Sequence, residues 1–139
     1  MKKKPKKKSP TFYRKKCVAW AKIEAKKRDD WTCQYCGKKA QGSGMHGSHI
    51  LPEGSYPLMS AEPYNIIALC AEHHLGGISP HLNRTFESWH SHPIKFASWF
   101  EKKWPNRFKE LREMAEEKRT HVVNWELRWR EIKGVDKGA

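Results

Sequence analysis

Two pairs of side chains that could bind a metal occur at two-residue spacing. Cys33 and Cys36 form a C-x2-C pair, and Cys70 and His73 form a C-x2-H pair further along the chain. Zn²⁺ takes four such ligands in a tetrahedron, and a two-residue gap lets one turn of backbone present two of them. The spacing therefore predicts one structural zinc ion bound by all four residues, although His74 could compete with His73 for the fourth position.

The fourth cysteine, Cys17, has no metal-type partner nearby in sequence. It falls on the apolar face of a helix predicted over residues 12–28, where apolar residues recur at helical spacing. We therefore expect Cys17 to pack in the core and not to bind metal.

The charge balance predicts a polyanionic partner. Lys and Arg number 28 against 15 acidic residues, so the formal net charge is +13. Such a balance favours DNA or RNA. No apolar run is long enough to span a bilayer, and the start of the chain does not resemble a secretory signal. We therefore expect no membrane partner and a reducing, cytoplasmic location, where cysteines serve as metal ligands more often than as disulfides.

The first ten residues carry six lysines and no acid, so residues 1–10 are predicted to form a disordered basic arm. Together with the basic side of the first helix, this arm would hold the phosphate backbone without reading sequence. The expected DNA-binding residues are Lys2, Lys3, Lys4, Lys6, Lys7, Lys8, Arg14, Lys15 and Lys16.

Hydrophobic periodicity, prolines and glycines divide the rest of the chain into short strands and longer helices. The predicted strands cover residues 45–51 and 65–70, and a short helix starts at residue 71. Further helical segments are predicted over residues 83–90, from Pro93 to the proline at 105, over 106–119 with Asn106 as N-cap, and over 124–133 with Gly134 as the stop. The predicted fold class is α+β and mostly helical.

The order of the motifs resembles the HNH endonuclease family, also called His-metal finger nucleases. The pattern is C-x2-C, then S-H-I at residues 48–50, then N-I-I-A-L-C-x2-H-H at residues 65–74. The later segment SWHSHPIKFASWF is similar to that of a zinc-containing phage and bacterial subgroup. The resemblance implies a ββα-metal core over residues 31–100 inside a single domain of residues 11–139, with flanking N- and C-terminal helices and a helical extension over 101–139.

The resemblance also implies roles for three residues. His49 would be the general base that takes a proton from the attacking water, and Asn65 would hold the hairpin loop and orient His49. His74 would be a ligand of a catalytic divalent ion. Phosphodiester hydrolysis suits these residue types, because a neutral imidazole with a pKa near ~6.5 can accept the proton and a divalent ion can stabilise the leaving oxygen.

The chain departs from the family pattern at two positions. Ser48 stands where many members carry an acidic metal ligand, and His73 stands where a fourth cysteine is more common. Other residues must then complete the catalytic metal site. The candidates are His46 and His90, with His81, Asn83 and Glu53 as weaker ones. We expect Mg²⁺ or Mn²⁺ there, although a histidine-rich site also tolerates Ni²⁺, Co²⁺ or Zn²⁺.

The sequence thus predicts a metal-dependent DNA endonuclease with His49 as general base. The alternative is a zinc-dependent DNA-binding module without catalysis, which Ser48 favours, and an RNA-binding zinc protein ranks last. The sequence leaves open the preferred DNA structure, the biological role, and whether the protein is a monomer or a dimer.

Overall fold

The computed structural model describes residues 6–76, 78–79, 84–85, 87–118 and 121–137. The fold is α+β and mostly helical, as predicted. Its elements are α1 (Pro10–Arg28), β1 (Met45–His49), β2 (Ile66–Cys70), α2 (Ala71–His74), β3 (Ile78–Ser79), β4 (Arg84–Thr85), α3 (Pro93–Lys103), α4 (Pro105–Lys118) and α5 (Trp125–Lys137).

Helix α1 begins two residues earlier than predicted because its first turn is well capped. The Ser9 hydroxyl accepts a hydrogen bond from the backbone N–H of Phe12 at 3.2 Å, and Pro10 occupies the first helical position. A proline is tolerated there because the first N–H groups of a helix have no partner within the helix. Of the predicted basic arm, residues 1–5 lie outside the described part of the chain, and residues 6–8 are exposed.

β1 and β2 form an antiparallel hairpin in which Gly47 pairs with Ala68 and His49 pairs with Ile66. All five residues of β2 are buried. Within the described ranges its outer edge has no partner strand. Polar groups cover this edge instead, since the Asp29 carboxylate accepts from the Ala68 N–H at 2.9 Å and the Gln34 N–H donates to the Ala68 carbonyl at 3.0 Å. These bonds satisfy the edge of β2 and hold the hairpin rigidly against the segment after α1.

Two apolar clusters lie on either side of this hairpin. One contains Ile66 together with buried residues of α1 and α5, among them Cys17 and Ile132. The other contains Ile67 and Leu69 together with side chains of α3 and α4. Cys17 is fully buried in the first cluster, which confirms the packing role predicted for it.

Other predictions of element type or bounds also differ from the structure. Residues 84–85 form a β-strand paired with β3, where a helical stretch over 83–90 was predicted. Pro105 begins α4, so Asn106 lies inside the helix and is not its N-cap. Helix α5 continues through Gly134 to Lys137, because a single glycine costs only about 1 kcal/mol in a helix and need not end it. None of the helices in the described part of the chain is both long and apolar enough to cross a bilayer.

Candidate active site and metal centre

The first cysteine pair lies on a tight turn directly after α1. Asp30 and Trp31 end the helix with positive φ angles of 54° and 51°. The turn then closes at Gly37, whose φ of 82° is easily adopted only by glycine and whose N–H donates to the Cys33 carbonyl at 2.8 Å. This turn directs both cysteine side chains to the same side.

The second pair lies where β2 changes into α2. Cys70 is the last residue of the strand and His73 lies in the single turn of helix that follows, so both project towards the cysteine turn. The donor atoms of Cys33, Cys36, Cys70 and His73 all lie within 4.8 Å of one another. Among the residues that the structure describes, this is the only group of three or more His, Cys, Asp or Glu side chains whose ligand atoms lie so close together.

The separations within the cluster fit a zinc ion. The sulfur atoms of Cys36 and Cys70 are 3.8 Å apart, and His73 Nδ1 lies 3.8 Å from the Cys33 sulfur and 3.1 Å from the Cys70 sulfur. With Zn–S bonds of about 2.3 Å and Zn–N bonds of about 2.1 Å, a tetrahedron has S–S edges of about 3.8 Å and S–N edges of about 3.6 Å. The Cys33, Cys36, Cys70 and His73 cluster could therefore hold a zinc ion, and His73, not His74, is its fourth member.

The protein environment changes the pKa of two thiols in this cluster in opposite directions. Burial acts to raise the pKa of the Cys33 thiol, but hydrogen bonds from the backbone at Cys70, Cys36 and Tyr35 outweigh it and leave that pKa below its ordinary value. Burial raises the pKa of Cys70. A metal ion must therefore displace a proton from Cys70, so that metal binding and folding are coupled to pH.

A second group of imidazoles lies beside this cluster. His46 comes from β1 and His74 ends α2, and their Nδ1 atoms are 3.0 Å apart. The ring of His90 lies 4.9 Å from the ring of His74, edge to face. The backbone explains this contact, because the His90 N–H donates to the His74 carbonyl at 3.2 Å and ties the segment after β4 to the end of α2. We call His46, His74 and His90 the histidine group.

Two members of this group, His46 and His74, are uncharged near neutral pH. Burial lowers the pKa of His74 to about 4, helped by the nearby His90, His46, Lys22 and His49. Burial, with Lys26 and Lys22, also lowers the pKa of His46. A neutral imidazole has a free lone pair, which metal binding requires. The 3.0 Å between the two Nδ1 atoms matches neighbouring ligands of an octahedral ion at about 2.1 Å.

His49, at the end of β1, has its two ring nitrogens in different environments. Its Nε2 lies 2.7 Å from the Ser60 carbonyl oxygen. Because a carbonyl only accepts, Nε2 carries the hydrogen and donates it, and the lone pair is on Nδ1. Burial lowers the pKa of His49, while the Ser60 carbonyl and Glu53 act in the opposite direction. The ring is thus oriented, neutral near pH 7 and able to accept a proton at Nδ1.

Asn65 connects the two ends of the loop between the strands. Its side chain is fully buried, and its Oδ1 accepts from the Leu51 N–H at 2.8 Å. Its Nδ2 donates to the carbonyls of Leu51 and Met59, both at 3.1 Å. The Met59 carbonyl directly precedes Ser60, so Asn65 positions the residue that orients His49.

We expect Asn65→Ala to lower the free energy of unfolding by about 3 kcal/mol, because three backbone groups would lose their partner in a buried place. Urea unfolding followed by tryptophan fluorescence measures this change. Asn106→Ala, at an exposed position of α4, is the matched control and should change stability by about 0.5 kcal/mol or less. Equal effects of the two substitutions would contradict the role assigned to Asn65.

Other predicted residues are not part of this arrangement. Ser48 is buried and does not belong to the histidine group. Glu53 accepts from Arg14 at 3.0 Å, so both are engaged in an ion pair near His49.

His81 and Asn83 lie outside the described residues, as do Lys2, Lys3 and Lys4. Of the remaining expected DNA-binding residues, Arg14 is partly buried and the others are exposed. These exposed residues are Lys6, Lys7, Lys8, Lys15 and Lys16.

Sequence reasoning missed two groups at this site. The Ser60 carbonyl, which orients His49, has no signature because any residue carries a backbone carbonyl. Lys22, whose charge acts on His46, His49 and His74, is one of many lysines in a basic helix. Comparison of the chain with family models, with curated proteins and with solved structures finds no match.

Proposed function

We propose that this protein is a metal-dependent DNA endonuclease of the HNH type, with His49 as its general base. The observation that carries the proposal is the position of His49 beside a pair of neutral imidazoles. His46 and His74 are at hydrogen-bonding distance from each other, and His49 lies close enough to His74 to depress its pKa. A base and a metal-binding pair in one place are what phosphodiester hydrolysis needs.

In this mechanism His49 Nδ1 accepts a proton from the water that attacks phosphorus. The Ser60 carbonyl keeps the Nε2 hydrogen in place and stabilises the imidazolium that forms. A divalent ion bound by His46 and His74, with His90 beside them, would act as Lewis acid and stabilise the leaving oxygen. We expect Mg²⁺ or Mn²⁺ in this role, and nitrogen donors favour Mn²⁺ of the two.

The zinc ion in this proposal is structural. Cys33, Cys36, Cys70 and His73 would supply four protein ligands, the full set of a structural zinc site, and would leave no position for water or substrate. Since His73 and His74 are adjacent on α2, fixing one of them fixes the direction of the other. Zinc would therefore affect catalysis indirectly, because it would fix the position of α2 and with it the direction of His74.

The charge distribution supports DNA as the substrate. With a net charge of +13 and with Lys6, Lys7, Lys8, Lys15 and Lys16 exposed, the chain can neutralise several phosphates. Phosphate contacts carry no sequence information, so we expect weak sequence preference and a strong decrease of affinity with salt. The expected products carry a 5′-phosphate and a 3′-hydroxyl.

The test is cleavage of supercoiled plasmid by the zinc-loaded protein in the presence of Mg²⁺, Mn²⁺, Ni²⁺, Co²⁺ or Zn²⁺. Nicked and linear products are quantified for the unmodified chain and for His49→Ala. We expect nicking with at least one metal and its loss in the variant. A folded, zinc-loaded protein that binds the plasmid but nicks it with none of these metals would exclude the nuclease.

The pH dependence of cleavage provides a further prediction. The base form of His49 is neutral, and burial lowers its pKa below the ordinary value near ~6.5. Protonation at low pH removes the base, so the rate should fall as the pH drops through this lowered pKa and stay level above it. A rate–pH profile at fixed metal concentration should show the acidic midpoint below pH ~6.5, and a midpoint above that value would contradict the assignment of His49.

The second candidate function is a zinc-dependent DNA-binding module without catalysis. The observation that favours it is Ser48, a buried residue where the family pattern has an acidic ligand. This candidate predicts DNA binding that depends on zinc but not on any second metal. The plasmid assay separates the two candidates.

A further inference from the structure

Lys22 on α1 packs against the strand that carries His46 and His49. Its aliphatic chain crosses Gly47 so closely that a Cβ atom added to Gly47 would lie 2.8 Å from Lys22 Cγ and 2.9 Å from Lys22 Cβ. Real Cβ atoms essentially never come this close to another atom. The glycine therefore allows Lys22 to lie across β1, and this packing fixes the direction of the lysine.

Gly47 stands between His46 and His49 on β1, so the packing of Lys22 across Gly47 brings the lysine to the strand that carries both histidines. The charge of Lys22 lowers the pKa of His46, His49 and His74. In the part of the chain that the structure describes, no hydrogen bond or ion pair of Lys22 is found, although its side chain is partly buried. Lys26, one turn later, differs in donating to the Met45 carbonyl at 3.3 Å.

The two carboxylates whose charges raise the pKa of these histidines are already paired with basic side chains. Glu53 acts on His49 and is paired with Arg14 at 3.0 Å. Glu72 acts on His46 and is paired with Lys38 at 3.6 Å. With a divalent ion bound by His46 and His74, the site would carry an excess of positive charge, which an anion would compensate.

We propose that Lys22 binds a non-bridging oxygen of the scissile phosphate and holds that phosphate between His49 and the His46–His74 pair. A lysine ammonium is a compact charge with three donors, and its attraction for a phosphate is stronger in a partly buried site than in water. Negative charge on the phosphate oxygens grows as water attacks, so the contact stabilises the transition state. The catalytic part of this inference rests on the proposed nuclease function, and the anion-binding part does not.

The cleavage test compares Lys22→Met with Lys27→Met. Methionine keeps an unbranched chain over Gly47 and removes the charge, while Lys27 is an exposed residue of the same helix that pairs with Glu24. We expect Lys22→Met to cleave plasmid about 10²-fold more slowly, and Lys27→Met to stay within about twofold of the unmodified chain. Lys22→Arg should recover part of the rate because it restores the charge.

Zinc content and melting temperature are measured for every variant, so that a loss of fold is recognised. Cleavage by a folded Lys22→Met protein within twofold of the unmodified rate would overturn the role of Lys22 and leave the nuclease function intact.

A binding experiment separates the two proposals. Inorganic phosphate is titrated into the zinc-loaded protein without a second metal, and the ring resonances of His46, His49 and His74 are followed by NMR. We expect saturable shifts in the unmodified chain and in Lys27→Met, and their loss in Lys22→Met. Lys22-dependent shifts without cleavage by any metal would support the anion site and reject the nuclease. Shifts that are absent from the unmodified chain, or unchanged in Lys22→Met, would reject the anion site.

Discussion

Cys70→Ser should release the zinc ion and lower the free energy of unfolding by about 4 kcal/mol or more, the largest effect on stability that we expect for one substitution. Cys70 is buried at the junction of β2 and α2, and its sulfur lies 3.8 Å from that of Cys36, which is 34 residues away in sequence. A metal that joins these two turns closes a long loop, and its binding free energy adds directly to folding. Serine keeps the size of the side chain but does not form the zinc-binding thiolate.

Cys17→Ser is a suitable control for this experiment. Cys17 is also fully buried, but it lies among the residues of α1 and α5 and takes no part in the cluster. The Cys17→Ser protein should keep one zinc ion per chain and lose only the packing of the Cys17 sulfur. Elemental analysis gives the zinc content, and thermal unfolding with and without a chelator gives the stability.

The two cysteine variants should differ in their response to a chelator. Adding it should lower the melting temperature of the unmodified chain and of Cys17→Ser by about 10 °C or more, and have little further effect on Cys70→Ser. Stoichiometric zinc in purified Cys70→Ser, or an unmodified chain that neither contains zinc nor gains stability from it, would contradict the zinc site.

His49→Ala should reduce the rate of plasmid cleavage by about 10³-fold, the largest effect on activity that we expect. The substitution removes the Nδ1 lone pair that would accept the proton in the proposed mechanism, and also the Nε2 donor to the Ser60 carbonyl. DNA affinity should be almost unchanged, because binding depends on many phosphate contacts. Single-turnover cleavage and equilibrium DNA binding, measured on the same preparation, separate the two effects.

Two further variants define the reason for the loss. His49→Gln can still donate to the Ser60 carbonyl but has no basic nitrogen, so it should be as inactive as His49→Ala while keeping more of the original stability. His121→Ala removes an exposed histidine outside the site and should cleave at the unmodified rate. A His49→Gln protein with more than a tenth of the original activity would show that His49 is not the base.

Much of the metal cluster could be predicted from the sequence by itself, because two-residue spacing brings two side chains onto one turn whatever the rest of the fold. The same holds for most helix positions, where apolar residues recur every three or four positions along α1, α3 and α4. Asn65 is also singled out in the sequence, through the resemblance of the segment N-I-I-A-L-C-x2-H-H to the HNH motif.

The tertiary structure decided which distant groups meet. Adjacent histidines on a helix point about 100° apart, so the sequence left His73 and His74 as alternatives. The packing of α2 against the hairpin assigns His73 to the cysteines and His74 to His46. Likewise His90 reaches His74 only because the backbone after β4 bonds to the end of α2. Such contacts join residues far apart in the chain, and local spacing carries no information about them until the core that brings them together has formed.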